Sequence, residues 1–167
     1  IKVIERLLQK YNFAGLSYDE LTPVDKYMHI KLQKFIAEIK NDYDNFDFGE
    51  VYRATNAYIS NTLSAFYLDF TKDILYIHDA ASVERRSIQT VFFECLKAIT
   101  TMLTPILPHT MEEVYSYMPG ERLESIYLCG TTKSHRGTKD KDLIILVKKN
   151  PVGIQLCVAK KDVPSQK

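Results

Sequence analysis

The stretch Ser82–Met118, S-V-E-R-R-S-I-Q-T-V-F-F-E-C-L-K-A-I-T-T-M-L-T-P-I-L-P-H-T-M-E-E-V-Y-S-Y-M, decides the fold. Ser82 is a good N-cap residue, and apolar side chains follow at Ile88, Val91, Phe92, Cys95, Leu96, Ile99, Met102 and Leu103. Steps of three and four are the period of a helix with one buried face. Pro105 lacks an amide donor and clashes with the preceding turn, so the helix ends or kinks there. Pro108 holds the corner. Thr110 and Glu113 have the spacing of a capping box, which predicts a short return helix over Met111–Met118, stopped by Pro119-Gly120.

Working upstream, Phe48, Tyr52, Thr55, Ile59, Leu63, Phe66, Phe70 and Ile74 form a second apolar stripe. It predicts a helix of about 28 residues, some 42 Å long, with Asp47 and Glu50 spaced as a capping box at its start. His78–Ala81 is a short link, so this helix and the Ser82 helix are expected to be antiparallel neighbours. Thr22-Pro23 opens another helix, with Thr as N-cap and Pro at the first position. That helix is expected to run to about Tyr43 and to bury Val24, Tyr27, Met28, Leu32, Phe35, Ile36 and Ile39. Ile1–Tyr11 carries the pattern of a further short helix. The expectation is a mainly α antiparallel helix bundle over residues 1–120.

Downstream the character changes. Gly130–Asp142 is polar and basic, whereas Leu143–Val147 and Ile154–Ala159 are rich in β-formers and flank K-K-N-P-V-G. Residues 121–167 are therefore expected to be a small basic tail with a β-hairpin. Two strands alone are barely stable, so they must pack on the bundle or pair with Ser125–Cys129. Charge divides at the same place. Residues 1–120 hold 12 Lys and Arg against 16 Asp and Glu, a net −4; residues 121–167 hold 10 against 5, a net +5.

At 167 residues the chain is long enough for a real core. Ile1 in place of an initiating Met suggests a piece of something longer. No apolar run reaches the roughly 18–20 residues of a membrane span, and no signal peptide is visible. Three widely spaced cysteines, Cys95, Cys129 and Cys157, read as reduced thiols in a cytoplasmic protein. There is no glycine-rich phosphate loop, H-E-x-x-H, G-x-S-x-G or paired-cysteine metal spacing. Cys129, His135 and Cys157 are candidates to converge on zinc, but they lack the usual C-x-x-C pair. No catalytic residue, metal or cofactor is expected in this segment.

The corner P-I-L-P-H-T-M-E-E-V-Y at Pro105–Tyr115 resembles that of the anticodon-binding helical domain in class I aminoacyl-tRNA synthetases of the Ile/Leu/Val/Met subgroup. L-S-A-F-Y-L-D-F-T-K-D-I-L-Y at Leu63–Tyr76 and R-R-S-I-Q-T-V at Arg85–Val91 are similar to the bacterial isoleucyl branch, and V-D-K-Y-M at Val24–Met28 and D-F-G-E-V-Y-R-A at Asp47–Ala54 fit it. The likeness covers Leu21–Gly120 well and Ile1–Phe13 loosely. It departs at Tyr115, where the family usually carries Trp, and in the tail, which does not match. The resemblance implies recognition of a tRNA anticodon stem-loop, that of tRNA(Ile). It also implies a catalytic domain elsewhere in the same polypeptide that ligates isoleucine with ATP and Mg²⁺, and a monomeric enzyme. Neither ATP-site signature of that class occurs here. The leucyl, valyl or methionyl branch and a protein-interaction bundle without RNA affinity are the alternatives.

Candidate RNA contacts follow from charge and position. Arg85 and Arg86 sit in the first turn of a helix, where the macrodipole disfavours cations by roughly a few tenths of a kcal/mol each. Phosphate would turn that cost into a gain; a salt-bridged surface pair is the other reading. Gln89, one turn on, is placed to read a base edge. Lys72 meets either a phosphate or Asp69. Lys133 and Arg136, in the basic loop, are either backbone contacts or simply solvated. His109 either faces RNA or bonds an orphan backbone group at the helix break. The tyrosines offer stacking surface, though Tyr27, Tyr52 and Tyr67 read more simply as core or boundary residues.

Overall fold

The computed structural model describes residues 15–120 and 122–130. The short helix expected over Ile1–Tyr11 and the expected hairpin of the tail lie outside the described residues. Among the described residues there are helices and turns and no strand. Helix α1 (Pro23–Asp44) begins as its sequence dictates, with Pro23 in the first turn and Thr22 Oγ1 accepting from the Asp25 amide at 3.4 Å. All seven core residues expected of it are buried. It ends in a tight reversal in which Phe46 takes φ +59° and the Asp47 amide donates to Asp42 O at 2.8 Å. That left-handed position usually falls to Gly or Asn.

The expected long helix is one rod in three sections. These are α2 (Phe48–Ala57), a π-helical section (Tyr58–Leu68) and α3 (Asp69–Ile77), joined without leaving helical backbone angles. Asp47 caps it by accepting from the Glu50 amide at 3.1 Å. Glu50 turns instead to Arg53, at 2.5 Å, so half of the expected capping box forms. The buried face also differs from the expected stripe. Val51, Thr55, Tyr58, Leu63, Tyr67, Thr71 and Leu75 point inward, while Phe48 and Tyr52 are exposed. The step of five from Tyr58 to Leu63 is the reason. A π-helix bonds i to i+5 and holds more residues per turn, so the position that returns to one face falls later. A search for threes and fours follows the neighbouring face.

Helix α4 (Val83–Leu103) starts at Ser82, whose hydroxyl accepts from the Arg85 amide at 3.3 Å. The rod lies antiparallel to α4, as expected, and also to α1. Tyr67 packs on Phe92 with ring centroids 4.8 Å apart, and Tyr58 Oη lies 3.5 Å from Cys95 Sγ. Phe35 stacks on Tyr58 at 4.3 Å. Helices α1 and α4 run parallel to each other. Thr22 N donates to Ser87 Oγ at one end, His29 Nδ1 lies 2.8 Å from Glu94 Oε2 midway, and Tyr43 Oη donates to Met102 O at the other. Burial pushes the Cys95 thiol up to about 12, so it is an inert core residue.

A buried carboxylate ties the three long elements together. Asp25, 1 % exposed, accepts from Thr22 Oγ1 at 2.7 Å, Tyr67 Oη at 2.5 Å and Ser87 Oγ at 2.5 Å. Burial raises its pKa, opposed by those three donors, Ser87 first. A buried acceptor with three hydroxyl donors is a directional lock, because each donor would be stranded without it.

The double-proline corner differs in detail from expectation. After Leu103 the chain turns, with the Ile106 and Leu107 amides both donating to Leu103 O. Helix α5 (Pro108–Ser116) then starts three residues earlier than Met111, and no side chain caps it. Proline at the first position has no N–H to satisfy, so the Thr110–Glu113 box is not used. Met111, Tyr115 and Met118 are buried. Tyr115 Oη accepts from the Leu123 amide at 3.0 Å and from Cys129 Sγ at 3.3 Å. An indole N–H, which only donates, could not do this, so the departure at Tyr115 has a consequence here. Ile126–Cys129 forms a 3₁₀ turn, anchored where Glu112 Oε2 accepts from Ser125 Oγ and the Ile126 amide.

Candidate nucleic-acid interface

The link from α3 to α4 forms one end of the bundle and carries four of the six expected RNA contacts. Arg85 is 8 % exposed, and its Nη1 donates to the carbonyl of His78 at 2.9 Å. His78 is the C-cap of α3, where the helix leaves carbonyls without partners and the macrodipole is negative. A cation poorly placed for its own helix is thus well placed for the one before it. Gln89 is 5 % exposed and faces the interior, so its amide is not presented to a base edge in this fold.

Lys72 and Arg86 are the accessible cations of the set. Lys72 is exposed, its Nζ 2.7 Å from Asp69 Oδ1, and the bond to Asp69 raises its pKa. Exposed pairs of this kind change partners readily. Arg86 is half-buried at the start of α4. The Ser17 hydroxyl and amide hold Glu20 below the usual carboxylate range, and the charge of Arg86 adds a smaller pull. Lys133 and Arg136 lie outside the described residues. His109 is exposed at the proline corner, near the far end of α4.

Sequence reasoning passed over two features of this end. Tyr76, 70 % exposed, sits four residues after Lys72 and so lies on the same face of α3, with Ile77 at 79 % and Val83 at 55 % beside the turn. An aromatic one helical turn from an exposed lysine was the available signal. The second is Asp25, which reads as an ordinary first-turn acid until the fold brings Tyr67 to it. Through Ser87, Asp25 fixes the first turns of α4 against the rod. Among the described residues no cluster of His, Cys, Asp or Glu is placed to hold a metal ion, and no helix is long and apolar enough to cross a membrane.

A family described as the anticodon-binding domain of tRNA ligase matches residues 25–151. The chain belongs to that family. Among curated proteins, the anticodon-binding domain described here is similar to "Isoleucine--tRNA ligase" of Lactobacillus acidophilus, 46 % identical over 130 residues. That alignment covers 78 % of this chain and 14 % of that protein. The ligase of the same name from Streptococcus pneumoniae (strain Hungary19A-6) is 43 % identical over 129 residues, 77 % of this chain and 14 % of that protein. The one from Listeria innocua is 47 % identical over 114 residues, 68 % and 12 % respectively. The chain thus spans about one seventh of the length of the first two relatives, and the family match starts inside α1 and extends past the described residues.

Proposed function

We propose that this chain is the anticodon-recognition segment of an isoleucine–tRNA ligase and holds the anticodon stem-loop of tRNA(Ile). The observation that carries the reading is the family match over residues 25–151, joined to relatives that share a single name. The fold supports it with an end where Lys72, Tyr76 and Arg86 reach solvent on helices locked by Asp25. Anticodon bases are unpaired, so they can stack on an aromatic ring while cations fix the phosphates. Arg85 acts as a positioning residue by holding the α3–α4 turn. Activation of isoleucine with ATP and Mg²⁺ is assigned to other parts of a longer, monomeric cytoplasmic polypeptide.

A binding titration against a panel of tRNA transcripts tests this. The isoleucine transcript is expected to bind more tightly than the leucine, valine and methionine transcripts, with affinity falling steeply as salt rises. Equal binding to all four would remove the isoleucine assignment. Absence of salt-dependent binding to any of them would remove the RNA reading.

A further inference from the structure

The opposite end of the bundle has different chemistry. A groove of about 460 Å³ opens between the C-terminal turns of α1 and α4, lined by Ile39, Tyr43, Asp44, Pro105, Tyr127 and Gly130 among others. Its walls are mainly apolar, and the apolar surface continues outward. Tyr43 meets Phe48 edge-on at 5.9 Å, and Phe48 meets Phe46 at 6.5 Å. Phe46 is 78 % exposed, Tyr127 60 % and Leu128 62 %. The adjoining turn is acidic, with Asp42, Asp44, Asp47 and Glu50 against Lys40 and Arg53.

We propose that this groove is the docking site for residues 143–147 (Leu143, Ile144, Ile145, Leu146, Val147) of the same chain. Three observations select that occupant. The described chain leaves from the groove itself, since Gly130 is part of its wall. Residues 131–167 hold nine Lys and Arg against three Asp and Glu, opposite in sign to the rim, and Lys148 and Lys149 directly follow the apolar block. The family match runs through residue 151, so this block lies within the same matched span as the residues that line the groove. Reach is sufficient: twelve residues, 131–142, lie between Gly130 and Leu143, and the thirteen steps span up to about 45 Å of chain. Apolar burial supplies most of the attraction, and the aspartates and lysines set orientation.

Photo-crosslinking in the full chain tests the proposal. With p-benzoylphenylalanine in place of Tyr127, irradiation should give intramolecular adducts that map by mass spectrometry to residues 143–147. In an Ile145→Asp background their yield should fall at least tenfold. Amides of Ile88–Ile99 should stay protected from exchange there, showing that the bundle persists, while those of Thr101–Thr104 exchange at least tenfold faster. Adducts confined to residues 1–130, or adducts between two copies that grow with concentration, would overturn it. So would an Ile145→Asp yield equal to that of the parent chain.

Discussion

The two ends of the bundle are built from the same helices and differ in how they are held. Both mix acids with cations, but one is locked by buried hydrogen bonds and the other opens into an apolar groove. At the α3–α4 end, the Asp25 lock and Arg85 hold the backbone, and Lys72, Tyr76 and Arg86 stand outside that lock. At the α1–α2 end, the Tyr43 hydroxyl, donating to Met102 O at 2.6 Å, ties α1 to α4 beside exposed aromatics and aspartates. The difference teaches that buried polar bonding fixes one end, where Lys72, Arg86 and Tyr76 reach solvent beside Asp69, Asp73 and Asp79, while apolar surface marks the other. A site that must hold unpaired bases in register gains from helices that do not shift, whereas an apolar groove gains from area.

The largest expected effect comes from breaking the lock. Asp25→Ala strands the Tyr67 and Ser87 hydroxyls in the interior and should cost about 2–4 kcal/mol in urea unfolding. Tyr43→Phe, at the other end, removes one partly exposed hydrogen bond and should cost about 0.5–1.5 kcal/mol. Equal losses would erase the contrast between the ends.

The lock should also respond to pH. The folded pKa of Asp25 lies above its unfolded value, so the native state keeps its proton when the unfolded chain has released it. The stability gained from that proton is fully present below the unfolded pKa, near 3.8, and is lost as pH rises through the folded pKa. Asp25→Asn, neutral at every pH, should remove this component. The unfolding free energy of the parent chain should therefore fall relative to Asp25→Asn as pH is raised from about 4. A constant difference would show that the carboxyl does not titrate between the two states.

The two arginines should separate. Arg85→Ala should lower the thermal midpoint by several degrees, about 1–2 kcal/mol, by releasing the carbonyl of His78. Arg86→Ala should lower the midpoint less than Arg85→Ala and should weaken RNA binding more. The reverse pattern would exchange their roles. The smallest effect is chemical. Iodoacetamide should label half-exposed Cys129 and spare Cys95 until the chain unfolds, as its burial and raised pKa require. Labelling of both at equal rates would show that the core around Tyr58 opens readily.

Much of this architecture was legible in local spacing. Thr22, Asp47 and Ser82 cap helices through bonds that span three residues, so their order alone revealed them. The core of α1 was legible for the same reason, since its turns are regular. The rod was located and its partner named, and its stripe was right at Thr55 and Leu63. At Ile59, Phe66, Phe70 and Ile74 the inward position lies one residue away, leaving these four at the edge of the core, because a step of five belongs to no α-helical template. Arg85 was read as a surface cation because the carbonyl that holds it belongs to the preceding helix. Gln89 and Asp25 were opaque for a related reason. Burial of a polar side chain is decided by what packs over it, here Tyr67, 42 positions away from Asp25. Lys72 was weighed between Asp69 and phosphate, and the free protein shows the first.

The central claim is that the α3–α4 end holds the RNA, and one titration tests it most directly. Binding of the isoleucine transcript should be measured across a salt series for the parent chain and for Lys72→Ala/Arg86→Ala. The double substitution is expected to weaken binding about tenfold or more and to make the log–log salt slope shallower by about 1.4–1.8, two phosphate contacts' worth. An unchanged affinity with an unchanged slope would contradict the account and place the RNA elsewhere on the molecule.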